Sequence, residues 1–267
     1  MNVTVVLARP KEPRNIGACC RAAKNFGCRR IAVVGNPTFD RDAARGPAIG
    51  ADDLLDGIVC VPTLSEALAG FHLAVGYTRR HGQRRKTWVF APWELARRLS
   101  GQEGAEVALV FGNETSGLSD EELALCHMAV FLPTDEACPS MNLSHAVAVA
   151  LYELRTYPLR PRPSAEAGEG TTAGGGGHGG AGEAGGTNVG APATTGTAAR
   201  AVEIDGAVVR ITTHLEALGF HVQDGPQGLP QLMRDILGRA TPAPIELERF
   251  AAMFEKLAGM HGSGRGR

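Results

Sequence analysis

One stretch cannot belong to any core, and it divides the chain. From about Pro158 to Ala199 the sequence carries Pro158, Pro161 and Pro163, then twelve glycines between Gly168 and Gly190 set among Ser, Thr and Ala. A segment of this composition buries too little apolar surface to offset the entropy lost on ordering, so it is expected to be a flexible linker. The 267 residues therefore divide into a first unit over 1–157, the linker over 158–199 and a second unit over 200–267.

In the first unit, short β-type runs alternate with helical patterns. Val3 to Ala8, Arg30 to Gly35, Leu73 to Thr78, Val107 to Phe111 and Ala129 to Leu132 read as strands, bounded by Gly, Pro or Asn. Between them Ile16 to Phe26, stopped by Gly27, and Leu64 to Leu68, Pro92 to Leu99 and Asp120 to Cys126 read as helices. Ser119 with Glu122 three residues later is a capping box that fixes the start of the last one. Such alternation predicts an α/β fold, a mostly parallel sheet with helices on both faces. In the second unit Arg200 to Leu218, Leu229 to Gly238 and Ile245 to Leu257 carry helix-spaced apolar residues, with Thr241-Pro242-Ala243-Pro244 as a break. About sixty helical residues make a small core, expected to lean on the first unit or a partner.

Charge and cysteine usage narrow the function classes. The 27 basic and 28 acidic side chains nearly cancel, so a nucleic-acid surface has to be local. Cys19, Cys20, Cys28, Cys60, Cys126 and Cys138 form no C-x-x-C pair and have no His at ligand spacing, which predicts reduced thiols, no metal site and a cytoplasmic protein. The start, Met-Asn-Val-Thr-Val-Val-Leu-Ala, has no basic lead-in and runs into Arg-Pro, which argues against a signal peptide. No run of apolar residues is long enough to span a membrane.

Three turns at the ends of apolar elements carry the candidate chemistry. Asn15-Ile16-Gly17 stands where a loop enters a helix, so its N–H groups and the helix dipole could receive an anion, with Arg21 further along to fork onto a phosphate. Asn15 could equally be a plain N-cap, and Arg21 a solvated surface residue. Glu114 follows a strand and Gly112, the position where ligands meet strand ends in open sheets; as a simple helix-terminal acid it would serve the dipole instead. Pro139-Ser140-Met141-Asn142 leads into an apolar helix through Ala146, Val147, Val149, Ala150, Leu151 and Leu154, which is expected to be buried and shared with a second subunit. His145 and Tyr152 on that helix are given no role. A basic run, Arg79, Arg80, His81, Arg84, Arg85 and Lys86, reads either as a phosphate-binding loop or as a solvated one. Trp88 and Phe90 behind it could stack on a base or fill a core.

Taken in order, Asn15-Ile16-Gly17 with Arg21, then Leu109 to Leu118, then Leu132 to Ala146 with Pro133, Ser140, Asn142 and Leu143, closely resemble the three signature motifs of the SpoU-type RNA methyltransferases of the SPOUT superfamily. The resemblance runs from about Val3 to Arg155. It implies a parallel sheet whose C-terminal part forms a trefoil knot, a connection that chain physics alone would not suggest. It also implies S-adenosylmethionine held by Tyr77, Thr78 and Arg79, by Gly112, and by Leu132, Pro139, Ser140, Met141 and Asn142, in a homodimer joined through the knot region. The implied reaction is methyl transfer to a ribose 2′-hydroxyl of RNA, with Arg21, Asn15, Glu114, Ser140 and Asn142 as the catalytic set and Arg79, Arg80, Arg84, Arg85 and Lys86 on the RNA. Because a guanidinium stays protonated, Arg21 is expected to clamp a phosphate and stabilise the developing alkoxide rather than act as a base.

Ser116-Gly117-Leu118, the helix end Tyr152-Glu153-Leu154-Arg155 and the tethered helical unit are most similar to the branch that methylates cytidine or uridine at position 32 of the tRNA anticodon loop. Asn113 in place of an arginine, Cys138-Pro139 and Met141 depart from that branch, which leaves open a ribose elsewhere in tRNA or rRNA. A non-catalytic RNA-binding module would need the basic loop but not the retained Asn15, Arg21, Glu114, Ser140 and Asn142. A dinucleotide enzyme would need a G-x-G-x-x-G after the first strand, which is absent.

Overall fold

The computed structural model describes residues 1–36, 38–79, 89–160, 198–220 and 228–263. Arg80, His81, Arg84, Arg85, Lys86 and Trp88 lie outside the described residues, as does the glycine-rich stretch 161–197.

The elements run β1 (Asn2–Ala8), α1 (Pro13–Asn25), β2 (Arg30–Val34), α2 (Arg41–Arg45), α3 (Asp52–Asp56), β3 (Val59–Val61), α4 (Leu64–Leu68), β4 (Leu73–Tyr77), β5 (Val89–Phe90), α5 (Pro92–Leu99), β6 (Glu106–Phe111), α6 (Asp120–Ala124), β7 (Met128–Val130) and α7 (Leu143–Thr156). After them come α8 (Ala201–Ala217), α9 (Gly228–Ala240) and α10 (Pro244–Ser263). The strands form one seven-stranded sheet in the order β3-β2-β1-β6-β4-β7-β5, every pairing parallel. The expected α/β alternation is therefore present. Two strands escaped the sequence reading because β3 and β5 are only three and two residues long, too short for a period to register.

Alternation along the strands builds two cores. Val5 and Leu7 of β1 face one side, where α1, α3, α5 and α7 bring Ile16, Leu55, Leu95 and Val147. Val6 and Ala8 face the other, where α4 and α6 bring Leu64, Leu68 and Leu123. Four of the six cysteines, Cys19, Cys20, Cys28 and Cys126, are buried as small apolar residues, and all six are free thiols. Burial pushes the Cys20 thiol up to about 12 and Cys19 well above its ordinary value, so neither carries a reactive thiolate at neutral pH. Among the described residues no helix is long and apolar enough to cross a membrane, and no cluster of three or more His, Cys, Asp or Glu could hold a metal ion.

Helix α1 begins three residues before the expected start. Pro13 takes the first helical position, where a missing N–H costs nothing, and Glu12 caps it, its carboxylate accepting from the Arg14 N–H. The Asn15 and Ile16 N–H groups donate to the Glu12 carbonyl, at 2.9 and 3.4 Å. That corrects the expectation of an anion-receiving turn there. Gly17 has a different reason to be glycine: a Cβ would stand 1.9 Å from the Ala44 carbonyl oxygen, so the residue permits α2 to lie against α1.

The helices after residue 198 share a core of Ile204, Val208, Ile211, Leu215, Leu229, Leu237 and Leu247. Ala199 is buried with them, its N–H donating to the Pro242 carbonyl. This unit meets the sheet at the N-terminal ends of its strands. The Ala201 N–H donates to the Phe71 carbonyl at 2.7 Å, just before β4, and Arg98 at the end of α5 donates to the Arg239 carbonyl. Gly238 of α9 sits on His127, just before β7, so closely that a Cβ would lie 2.6 Å from the His127 Cβ. A short 3-10 turn, Tyr157–Leu159, continues α7, and Arg160 pairs with Glu153 at 2.6 Å.

Candidate active site

The C-terminal ends of three adjacent strands stand level: Tyr77 of β4 pairs with Phe111 of β6 and with Val130 of β7. The segments that leave them enclose a cleft of about 770 Å³, open to solvent. Its lining comes from 77–79, from 111–118, and from Leu132, Thr134, Pro139, Ser140, Met141, Leu143 and Ala146. It stands at the edge where open parallel sheets bind ligands.

Of the expected cofactor residues, Tyr77, Thr78, Arg79, Gly112, Leu132, Pro139, Ser140 and Met141 all line the cleft. Asn142 is not among the lining residues. Its side chain turns to α1 and to its own helix, for the reasons given below. The Tyr77 ring stacks on Phe111 at 4.5 Å and is buried, which pushes its phenol up from the ordinary value. Phe90 packs against the core with Arg98 over its ring, so it is a core residue and not a platform for a base.

The 112–118 loop is shaped by close backbone contact. A Cβ on Gly112 would meet the Gly117 carbonyl carbon at 2.0 Å and the Leu118 nitrogen at 2.1 Å, so only glycine lets the loop fold back on its own start. The Gly117 N–H donates to the Asn113 carbonyl at 2.9 Å, with Gly117 itself at φ +68°. Asn113 is buried, and its Oδ1 accepts from the Thr115 N–H at 3.0 Å, the Ser116 N–H at 2.8 Å and the Ser116 hydroxyl at 3.1 Å. An asparagine here closes a side-chain turn that an arginine could not make. The sequence signal was present, Asn followed two and three residues on by Thr and Ser, but it read only as a departure.

Glu114, Asn15 and Asn142 join the three turns by side chains. Asn15 Nδ2 donates to Glu114 Oε1 at 2.9 Å, and Asn142 Nδ2 donates to Asn15 Oδ1 at 3.1 Å. Asn142 Oδ1 then accepts from the Ser144 N–H and hydroxyl, at 2.9 and 2.8 Å, which caps α7. A carboxylate only accepts, so it fixes the amide of Asn15, and that in turn fixes the amide of Asn142. The whole chain of bonds has one polarity set by one charge. Glu114 also accepts from the Lys11 and Glu12 N–H groups at 3.0 and 3.3 Å. Burial alone would push this carboxyl up, but these hydrogen bonds outweigh it and hold the group below its ordinary value. Glu114 is thus a fixed anion at neutral pH. With Tyr77 shifted up and Glu114 down, both cleft groups are moved away from the range a proton acceptor needs.

Arg21 does not line this cleft. It lies on α1 about 120° around the helix from Asn15, exposed, and its side chain makes no hydrogen bond or ion pair to another described residue. Ser140 lines the cleft mouth and is exposed. Of the expected RNA-binding residues only Arg79 is described, and it lines the cleft. Sequence reasoning missed Lys11 and Glu12, whose backbone holds Glu114, although an acid before Pro13 is a helix-start signal. It also missed Arg9, a case taken up below.

The model of the SpoU rRNA Methylase family matches residues 2–152. A Methanocaldococcus jannaschii protein named tRNA (cytidine-2′-O-)-methyltransferase TrmJ is 35% identical over 160 residues, 59% of this chain and 69% of that protein. A Pseudomonas aeruginosa protein named tRNA (cytidine/uridine/adenosine-2′-O-)-methyltransferase TrmJ is 40% identical over 156 residues, 57% of this chain and 60% of its own length. The crystal structure of TrmJ from Z. mobilis covers 96% of this chain and 99% of its own, with a TM-score of 0.70 at 22% identity, a likeness of fold. The three turns joined through Asn15 all fall inside the matched span, and the chain belongs to the SpoU methylase family.

Proposed function

We propose that this chain is an S-adenosylmethionine-dependent RNA 2′-O-ribose methyltransferase whose substrate is tRNA, with the ribose of cytidine or uridine 32 in the anticodon loop as the acceptor. The observation that carries this reading is the side-chain chain from Asn142 through Asn15 to Glu114, which ties the start of α1 and the cap of α7 to the 112–118 loop of the cleft. Its support from relatives is the 2′-O-methyltransferase activity in the names of the M. jannaschii and P. aeruginosa proteins.

The cleft fits S-adenosylmethionine. Leu118, Leu132, Met141 and Leu143 offer apolar walls for a flat base, the loops offer backbone groups, and Glu114 offers a negative charge to a ligand that carries positive ones. When bound, that group supplies a sulfonium methyl to the ribose oxygen. The chain's own residues orient and stabilise. Glu114, Asn15 and Asn142 hold the loops in register, so positioning supplies much of the rate. Arg21 acts from outside its own chain's cleft, on the cleft of a second copy, where it clamps a phosphate and stabilises the developing alkoxide. Arg79 with Arg80, Arg84, Arg85 and Lys86 hold the RNA backbone.

The homodimer this requires is supported by α7, where His145, Val149 and Tyr152 make an exposed stripe at helical spacing, Tyr152 packing edge-on against Phe26 of α1. The trefoil knot is supported by strand order: β7 lies between β4 and β5, which are neighbours along the chain, so the late segment enters between two earlier strands. Residues 1–157 would form the methyltransferase domain, 158–199 the linker and 200–267 a helical domain, acting in the cytoplasm with the tRNA.

Transfer of labelled methyl to unmodified bulk tRNA, followed by mapping of 2′-O-methyl nucleotides, tests the reading. Label at position 32 is the expected outcome. Label at another tRNA ribose, or on ribosomal RNA alone as the family's description would favour, replaces the substrate and keeps the chemistry; binding of RNA without transfer removes the enzyme reading.

A further inference from the structure

Arg9 follows β1 directly and holds a left-handed φ of +52°, a conformation that costs a side-chain-bearing residue free energy unless its surroundings enforce it. They do. Its N–H donates to the Val34 carbonyl at 2.8 Å. Its guanidinium forks onto Glu122, Nε to Oε1 and one terminal nitrogen to Oε2, both at 2.6 Å, while the same terminal nitrogen reaches the Gly117 carbonyl at 3.4 Å. Glu122 is the third residue of α6, and its Oε2 also accepts from the Ser119 N–H at 2.8 Å in the capping box. One guanidinium therefore grips the far end of the 112–118 loop and the helix that follows it. Two residues on, the N–H groups of Lys11 and Glu12 grip the near end through Glu114.

We propose that Arg9 is a positioning residue for the cleft: the segment 9–12 acts as a splint along the outer side of the loop, and the Arg9–Glu122 fork sets the fraction of molecules in which 112–118 is shaped to receive the cofactor. The inference rests on the reading that this cleft binds S-adenosylmethionine. Arg9 itself lies outside the lining, so it acts on affinity through the loop's population and not by contact.

Calorimetric titration with S-adenosylmethionine on the full chain, paired with methyl transfer at saturating cofactor, tests it. Arg9→Ala is expected to raise the cofactor Kd about tenfold while kcat at saturation stays within about twofold, and Arg9→Lys, which keeps the charge but loses the fork, to fall between. Glu122→Gln keeps the cap and should raise Kd by about threefold, which covers the case where Arg9→Ala does not fold. An unchanged Kd in folded Arg9→Ala or Glu122→Gln, with only a lower melting temperature, would overturn the splint and leave the cofactor reading intact. Absence of cofactor binding to the unsubstituted chain would remove both.

Discussion

The two ends of the sheet are built by opposite means. At the C-terminal ends of β4, β6 and β7, loops are held by carboxylates and a guanidinium: Glu114 fixes two amides, and Glu122 is forked by Arg9. At the N-terminal ends, the helical unit is held by close packing and by hydrogen bonds to backbone carbonyls: Gly238 presses on His127, whose Nδ1 accepts the Ala74 N–H at 2.8 Å, Ala201 bonds to the Phe71 carbonyl, and Arg98 bonds to the Arg239 carbonyl. Both ends depend on a glycine that permits a close approach, but the obstacle differs. Gly112 faces backbone, Gly238 a side chain. Backbone cannot step aside within a short loop, so the ligand end should be brittle in function and the docking end brittle in association.

The largest expected effect is therefore Gly112→Ala. With a Cβ about 2.0 Å from the Gly117 backbone, the loop has to open, and cofactor binding should fall by a hundredfold or more, roughly the scale of a strained core insertion of 3 kcal/mol. Calorimetry with S-adenosylmethionine reads this directly, and circular dichroism checks that the sheet persists. Near-normal binding would mean that the loop is not held as tightly as its backbone contacts imply.

Next comes Glu114→Gln. The isosteric amide brings its own donor to a place where three donors converge, from Asn15, Lys11 and Glu12, so one of them loses its acceptor. Methyl transfer, as kcat/KM, should drop about a hundredfold through misplacement of the loops, while the melting temperature moves only a few degrees. Equal loss of stability and activity would instead make Glu114 a fold residue, and the contrast between the two ends would weaken.

How far these features were legible depends on whether their cause was local. The strands through Val3 to Ala8 and Val107 to Phe111, and the Ser119–Glu122 capping box, appear in the structure because a run of apolar residues and a three-residue spacing determine them without reference to the rest of the chain. The cleft lining was legible through motif resemblance, which reports residues that meet in space without saying how. What stayed hidden was long-range. Nothing near Gly17 names Ala44, nothing near Gly238 names His127, and the Arg9–Glu122 pair spans 113 positions. Asn142 shows the same limit from the other side: the motif placed it in the right neighbourhood, but only the fixed amide orientation turned it toward Asn15 and away from the cleft.

At the docking end, Gly238→Ala should leave cofactor binding unchanged while separating α9 from β7, at a cost of about 1–3 kcal/mol to the association. Faster hydrogen exchange in α9 and around His127, with the cleft loops unaffected, is the expected pattern. Loss of cofactor affinity in this variant would show that the two ends are coupled through the sheet, contrary to their separation by the length of β4, about 16 Å.

The smallest effect is the acid response, and its sign follows from the carboxylates. Glu114 and Glu122 both titrate below the ordinary value: burial pushes each up, but hydrogen bonds from Asn15, Lys11 and Glu12 to the one, and from Arg9 and Ser119 to the other, outweigh it. A group whose folded value is depressed adds stability that is complete above the unfolded value, near 4.5 for these carboxyls, and that is lost as pH falls through the folded one. Both carboxylates are partly buried, Glu122 with 14% of its side chain exposed, and each contribution is about 1 kcal/mol, the scale of an ordinary net hydrogen bond. Below about pH 4.5 the 112–122 segment should therefore lose hydrogen-exchange protection, because the carboxylates that hold both of its ends become protonated there. Glu114→Gln combined with Glu122→Gln should flatten that acid slope at the cleft and leave the dock's response as it was; an unchanged slope at the cleft would mean that charge does not hold this end, and that the two ends of the sheet differ only in what binds there.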